Sequence, residues 1–165
     1  MRITVAAVGR SKDTPEQLLC DQHLKRAAAL GGKLGFSQVD FLTVETSRMS
    51  DSSARMAEEA KRLGGRVPHP AHRIALDEQG RALSSEALAK HLAVLRDRGG
   101  RDLVFLIGGP DGRAASLREG ADERLAFGPQ TWPHLLVRAM LAEQIYRAFT
   151  ILSGHPYHRG LSSRP

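Results

Sequence analysis

The segment that most constrains the fold is the apolar run at residues 103–107, Leu-Val-Phe-Leu-Ile, which breaks at once into Gly108-Gly109-Pro110-Asp111-Gly112. Consecutive apolar residues with no polar alternation fit a strand buried on both faces, the kind found in parallel sheets covered by helices. The Gly/Pro break ends the strand sharply, and glycine lets main chain come close to another group. No Gly-Lys-Ser/Thr follows, so the turn is not a Walker loop, and Gly-x-Gly-x-x-Gly is absent too. Two readings stay open: a tight turn after a strand, or backbone delivered to a ligand at the strand's carboxyl end.

Strand and helix signals alternate along the rest of the chain. Residues 3–8 read as a strand ending at Gly9, and Pro15 opens a helix to about Leu30, stopped by Gly31-Gly32. Residues 36–44 form a second strand, and Asp51 caps a helix running to Leu63. A breaker-rich loop at 66–70 precedes a third strand at 72–76. Ser84 or Ser85 caps a helix with Leu88, Leu92 and Leu95 at helical spacing. The fourth strand, 102–107, is followed by a short helix near 114–119 and a brief fifth strand at 124–127. The last helix, 133–151, carries Leu135, Ala139, Met140, Ala142, Ile145, Tyr146 and Phe149 as one stripe. The expectation is an α/β fold, a mainly parallel sheet flanked by helices, with residues 1–165 as a single domain. A chain of 165 residues is long enough for one core, burying roughly two-thirds of its unfolded surface.

Charge narrows the partners. Lys and Arg total 24 against 18 Asp and Glu, a net +6 with pI near 10.1, which favours a polyanion such as nucleic acid. The lone Cys20 excludes an internal disulfide and, beside Leu19 in a helical setting, reads as a buried inert thiol. No signal peptide is evident, and no run approaches the ~18 apolar residues of a membrane span. A cytoplasmic protein is expected.

Several polar groupings carry possible chemistry. The tail His155-Pro156-Tyr157-His158-Arg159 combines an aromatic for base stacking, an arginine for phosphate and two histidines. The plainer reading is a frayed terminus. His134 and Arg138 lie four apart near the last helix's amino end, where free N–H groups favour an anionic or carbonyl-bearing ligand. Glu143 and Arg147 have the spacing of a surface ion pair. His69 and His72 are three apart, as are His155 and His158, but neither a second cysteine nor a matching acidic partner supports a metal site, and none is expected.

The pieces LIGGPDG, TWPHLLVRAMLAEQIYRAF and HPYHR, with RITVAAVG at the start and IALDEQGRALSSEALA in the middle, occur in one order and spacing. Over nearly the whole chain they resemble the ribosomal RNA large subunit methyltransferase H family, a branch of the SPOUT methyltransferases. The resemblance implies a C-terminal trefoil knot, S-adenosyl-L-methionine as methyl donor, and a homodimer with its active site at the subunit contact. It implies a target at N3 of pseudouridine 1915, in helix 69 of 23S ribosomal RNA within the assembled ribosome. The donor would be held by Leu76, Gly108, Phe127, Gly128, Pro129, Gln130, Thr131 and Trp132. Arg138, Tyr157, His158 and Arg159 would orient the RNA, with His158 the preferred proton acceptor and His155 and Glu143 the other candidates. Residues 160–165 extend past the point where the family often stops. A non-catalytic RNA- or ribosome-binding factor, or a SPOUT enzyme for another ribosomal or transfer RNA base, shares these features.

Overall fold

The apolar run forms a central strand, β4 (Asp102–Ile107), in which every residue is buried. The computed structural model describes residues 1–10, 12–109 and 115–158, apart from the side chains of Ala115 and Ser116. β4 lies inside a parallel five-stranded sheet of order β2-β1-β4-β3-β5, completed by β1 (Arg2–Val8), β2 (Gln38–Val44), β3 (His72–Ala82) and β5 (Glu123–Ala126). The connecting helices are α1 (Pro15–Gly31), α2 (Ser52–Gly64), α3 (Ser85–Asp97), α4 (Ala115–Glu119) and α5 (His134–Ser153).

Side chains alternate across a strand, so β1 and β4 feed two cores. Ile3, Val5, Leu103, Phe105 and Ile107 pack with Cys20 and Leu24 of α1, Leu88 and Leu92 of α3, and Leu141, Ile145 and Phe149 of α5. Ala6, Val8, Val104 and Leu106 pack on the other face with Ala60 and Leu63 of α2 and Leu117 of α4. The result is a three-layer α/β architecture. Each fully buried Leu, Ile or Phe contributes about 1.5–3 kcal/mol.

Local signals set the helix starts. The side chains of Thr14, Asp51 and Ser84 accept hydrogen bonds from the backbone N–H of Gln17, Ala54 and Ala87, at 3.3, 2.6 and 3.1 Å. Pro15 occupies the first turn of α1.

Some elements depart from expectation. The second strand starts at Gln38 rather than residue 36, because the Phe36 N–H closes the end of α1 on the Gly31 carbonyl (2.9 Å) while its ring stacks on Phe149. β3 continues past Leu76 to Ala82: after an irregularity its second half pairs Arg81 and Ala82 with Leu125 and Ala126 of β5. The polar residues 77–80 hide this strand, which only tertiary pairing stabilises. The short helix is seen from Ala115; residue 114 and the turn residues Pro110, Asp111 and Gly112 lie outside the described residues.

α5 buries more than a stripe. Leu141 and Ala148 are buried along with Ala139, Ala142, Ile145, Tyr146 and Phe149, whereas Leu135 and Met140 are only partly covered. The helix is flanked by α1 and α3 and touches β4, so apolar residues are wanted on several sides. No described helix is long and apolar enough to cross a membrane.

Candidate functional site

Beside the irregularity of β3 and at the carboxyl ends of β4 and β5 the structure forms a cleft of about 510 Å3. Leu76 comes from the irregularity inside β3, Ile107 from the end of β4, Gly108 and Gly109 from the turn after β4, and Phe127, Gly128, Gln130, Thr131 and Trp132 from the loop before α5. Three segments distant in sequence thus meet on one cavity; Pro129 belongs to the same loop but not to the lining. The loop is folded on itself: the Trp132 indole N–H donates to the Phe127 carbonyl at 3.1 Å. Gly128 sits at φ +94°, and a Cβ there would fall 2.6 Å from Gln130 Oε1, so no other residue fits without rearrangement. Behind the turn, a Cβ on Gly109 would approach Glu59 Oε2 to 2.9 Å and Val8 Cγ1 to 3.1 Å.

The cleft's charged groups are tied down. Asp77, 2% exposed, accepts from the Gln79 N–H at 2.9 Å and lies 2.6 Å from Arg118 Nε. Besides the exposed polar side chains of Glu78, Gln130 and Thr131, the lining is apolar surface beside main-chain edges, suited to a flat heterocycle carrying polar edges. His134 lines the rim; burial, and then the nearby Arg138, lower its pKa, so the ring is neutral at pH 7.

Arg138 is placed elsewhere. Only 1% exposed, it lies off the cleft lining and donates from Nη2 to the Val8 carbonyl at the end of β1, at 2.5 Å. Its guanidinium sits 5.9 Å from the Phe41 ring centre, and burial lowers its pKa. The helix-start pair expected from sequence is therefore divided: His134 faces the cleft and Arg138 faces the core.

The tail docks on α5 and α3 as far as it is described. Tyr157 packs against Tyr146 with ring centres 4.7 Å apart and planes tilted by 57°, and donates its hydroxyl to Glu143 Oε1 at 3.1 Å. Arg147 donates from Nε to the same oxygen at 2.9 Å and covers the Tyr157 ring at 5.0 Å. Arg147 Nη1 lies 3.3 Å from His158 Nδ1, and His158 Nε2 lies 2.8 Å from Glu86 Oε1. Arginine only donates, so this network assigns the neutral His158 a lone pair on Nδ1 and a proton on Nε2. Burial, reinforced by Glu143, raises the Tyr157 pKa. The hydrogen bond to Glu143 raises that of Arg147. Glu86 is held below the usual carboxylate range by its own backbone N–H, then by Ser84 and His158. His155 is exposed, its Nδ1 accepting from the Tyr157 N–H at 3.2 Å. Arg159 and residues 160–165 lie outside the described residues.

A second cavity, about 520 Å3, shares Leu125, Ala126, Phe127 and Gly128 with the cleft, so the end of β5 is a wall between the two. Leu83, Leu88, Leu136 and Met140 make it mainly apolar, and Glu143 joins it to the tail cluster. Leu19, 44% exposed, lines it, next to Leu18 at 53%. Sequence reasoning missed this cavity, the part of Glu86, and the contact of Arg147 with the tail; only the Glu143–Arg147 spacing was a signal. Cys20 is fully buried with its thiol pushed up to about 12 by burial, which rules out a nucleophile. Among the described residues the four histidines weighed as a metal set do not form one; His72 stands with His91 and Glu123 instead.

Known proteins share this sequence across its length. The sequence model of a family described as predicted SPOUT methyltransferase matches residues 1–158. A ribosomal RNA large subunit methyltransferase H from Bradyrhizobium diazoefficiens is 48% identical over 159 residues, 96% of this chain and 99% of that protein. The proteins of the same name from Afipia carboxidovorans and Hyphomonas neptunium are each 50% identical over 159 residues, again 96% of this chain and 99% of theirs. A solved probable methylase family protein from Haemophilus influenzae Rd KW20 is 12% identical, with a TM-score of 0.49 over 96% of this chain and 70% of that one. A likeness that distant carries no functional argument.

Proposed function

The chain belongs to the SPOUT methyltransferase family, and from that premise we propose that it methylates large-subunit ribosomal RNA with S-adenosyl-L-methionine as donor, at N3 of pseudouridine 1915 in helix 69. The observation that carries the reading is the meeting of Leu76, Gly108 and the loop from Phe127 to Trp132 on one cleft. Its size and lining fit the donor: about 510 Å3, apolar side chains, exposed main chain and no unpaired cation among the lining residues. When bound, the donor supplies an electrophilic methyl group on a sulfonium. Leu76, Phe127 and Trp132 would cover its adenine ring, while the backbone of Gly108, Gly128, Pro129, Gln130 and Thr131 would read its edges.

The tail then handles the RNA. Tyr157 stacks on the base, Arg159 holds phosphate, and His158 takes the ring-nitrogen proton on the Nδ1 lone pair that Arg147 now faces. Arg138, buried beneath the start of α5, would position that helix rather than touch RNA. Within one chain the Leu125–Gly128 wall stands between the tail cluster and the cleft. This supports a homodimer in which the tail of one copy completes the cleft of the other. The apolar cavity beside exposed Leu18 and Leu19 supports the same reading. Residues 1–165 then act as one domain, with α5 entering the family's knot between α1 and α3. A substrate on the ribosome makes the site of action cytoplasmic.

Mass-spectrometric mapping of ribosomal RNA from cells lacking the protein tests this directly. The expected result is loss of one methyl, at N3 of that pseudouridine, restored by the gene. An unchanged methyl at that base, with a different modification missing, assigns the enzyme another target. No measurable affinity for S-adenosyl-L-methionine in titration calorimetry would leave a binding factor without chemistry.

A further inference from the structure

At the opposite ends of the strands from the cleft, three side chains that sequence does not group converge: His72 at the start of β3, Glu123 at the start of β5, and His91 in α3. His72 Nε2 lies 2.7 Å from Glu123 Oε1, and His91 Nε2 lies 2.9 Å from Glu123 Oε2. All three donor atoms fall within 4.8 Å of one another, and the side chains are 25–36% exposed, sheltered yet reachable from solvent. We propose that His72, His91 and Glu123 form a binding site for a divalent transition-metal ion of the zinc class, which clips the amino ends of β3 and β5 to α3.

Two further observations favour an ion over a plain hydrogen-bonded bridge. His91 Nε2 is buried and makes no hydrogen bond of acceptable direction in spite of its short distance to the carboxylate. No ring N–H therefore bridges this nitrogen to the carboxylate, which leaves it available as a ligand atom. The other nitrogen of His72 faces a second carboxylate: Nδ1 is 3.8 Å from Asp122 Oδ2, and Asp122 is itself anchored by the Arg73 N–H at 2.7 Å. If neutral His72 donates from Nε2 to Glu123, its Nδ1 lone pair faces a carboxylate, a conflict that a second ring proton or a metal ion on Nε2 removes. A cation on Nε2 puts the proton on Nδ1, toward Asp122, the carboxylate–histidine–metal arrangement that fixes ligand tautomers. Two neutral imidazoles and one carboxylate are a common protein ligand set for zinc, with a fourth position left to water. Both imidazoles must be unprotonated to ligate, so affinity falls in acid. β5 is a four-residue edge strand. A clip at its first residue ties down the wall of the cleft without entering it.

The test uses untagged full-length protein titrated with zinc chloride in competition with a chelator, and cobalt(II) as a spectroscopic stand-in. Expected are one ion per chain, a tetrahedral cobalt spectrum, and a higher unfolding temperature with zinc. His91→Gln and Glu123→Gln should each lower affinity at least about tenfold, and Asp122→Asn by about 10-fold or more. Gly108→Val should bind the ion as the parent does, keeping this site separate from the cleft. If a variant fails to fold, imidazole nitrogen NMR of the parent protein decides: zinc must move Nε2 of both His72 and His91. No stoichiometric binding would overturn the proposal and leave a hydrogen-bonded bridge. Undiminished affinity in the variants, or zinc shifts confined to His155 and His158, would overturn it as well.

Discussion

The cleft and the tail cluster are neighbours separated by one strand end, yet they are built from different material. The cleft is lined by strand ends and a self-bonded loop, and its buried carboxylate, Asp77, already faces Arg118. The tail cluster consists of long side chains, Glu143, Arg147, Tyr157, His158 and Glu86, held mostly by one another. Backbone in a sheet has no rotamer freedom left to lose, so a cleft of this kind is preorganised for one shape. Paired side chains at a half-exposed surface exchange partners at modest cost, which would suit the RNA-handling role proposed for the tail. On the proposed function, the fold would divide rigid recognition of the donor from adaptable handling of the substrate.

Substitutions should separate the two regions. The largest effect is expected of Gly108→Val, which puts a branched side chain at the strand-end turn: calorimetry should find donor binding abolished while the cooperative melt persists. Retained affinity would mean the donor lies elsewhere. His158→Ala should leave donor affinity unchanged and lower single-turnover methylation by about 10²–10⁴-fold, the range of a positioned acid or base. Equal turnover would remove His158 from the chemistry. Salt probes the tail side more gently. If two or three phosphates are held, raising salt from about 50 to 200 mM should weaken RNA binding about tenfold and leave donor affinity alone. A flat response would rule out electrostatic docking.

The smallest effect concerns His23, which lines the apolar cavity and whose pKa is lowered by burial from its ordinary 6.5. Folded and unfolded chains both hold this ring neutral well above that value. As pH falls below it the unfolded chain takes up the proton first, so stability is lost in that direction. The unfolding temperature should fall between about pH 7 and 5.5, and less steeply in His23→Leu. An identical slope in the variant would assign the loss to other groups.

Much of the fold was legible because burial on both faces of a parallel sheet leaves an unbroken apolar run, as at residues 103–107, and because caps such as Thr14, Asp51 and Ser84 act within a single turn. The Gly108-Gly109 turn was visible, but by itself it read more readily as a plain turn than as a ligand site. Its partners Leu76 and the loop before α5 came from the family resemblance, not from any local pattern. The second half of β3 was not legible, since residues 77–80 carry no strand signal and Arg81 and Ala82 extend the strand only by pairing with β5.

By itself, then, the chain placed most strands and helices to within a few residues and marked much of their buried face, because periodicity and capping operate over a few residues. Only the tertiary structure decided the pairings. His158 meets Glu86 from 72 residues away, and His72 meets Glu123 from 51. Arg138, expected near a helix start to orient the RNA, is buried because α5 passes the end of β1, where the Val8 carbonyl accepts a hydrogen bond from its guanidinium. Such contacts depend on how the layers stack, and stacking has no signature at any fixed spacing along the sequence.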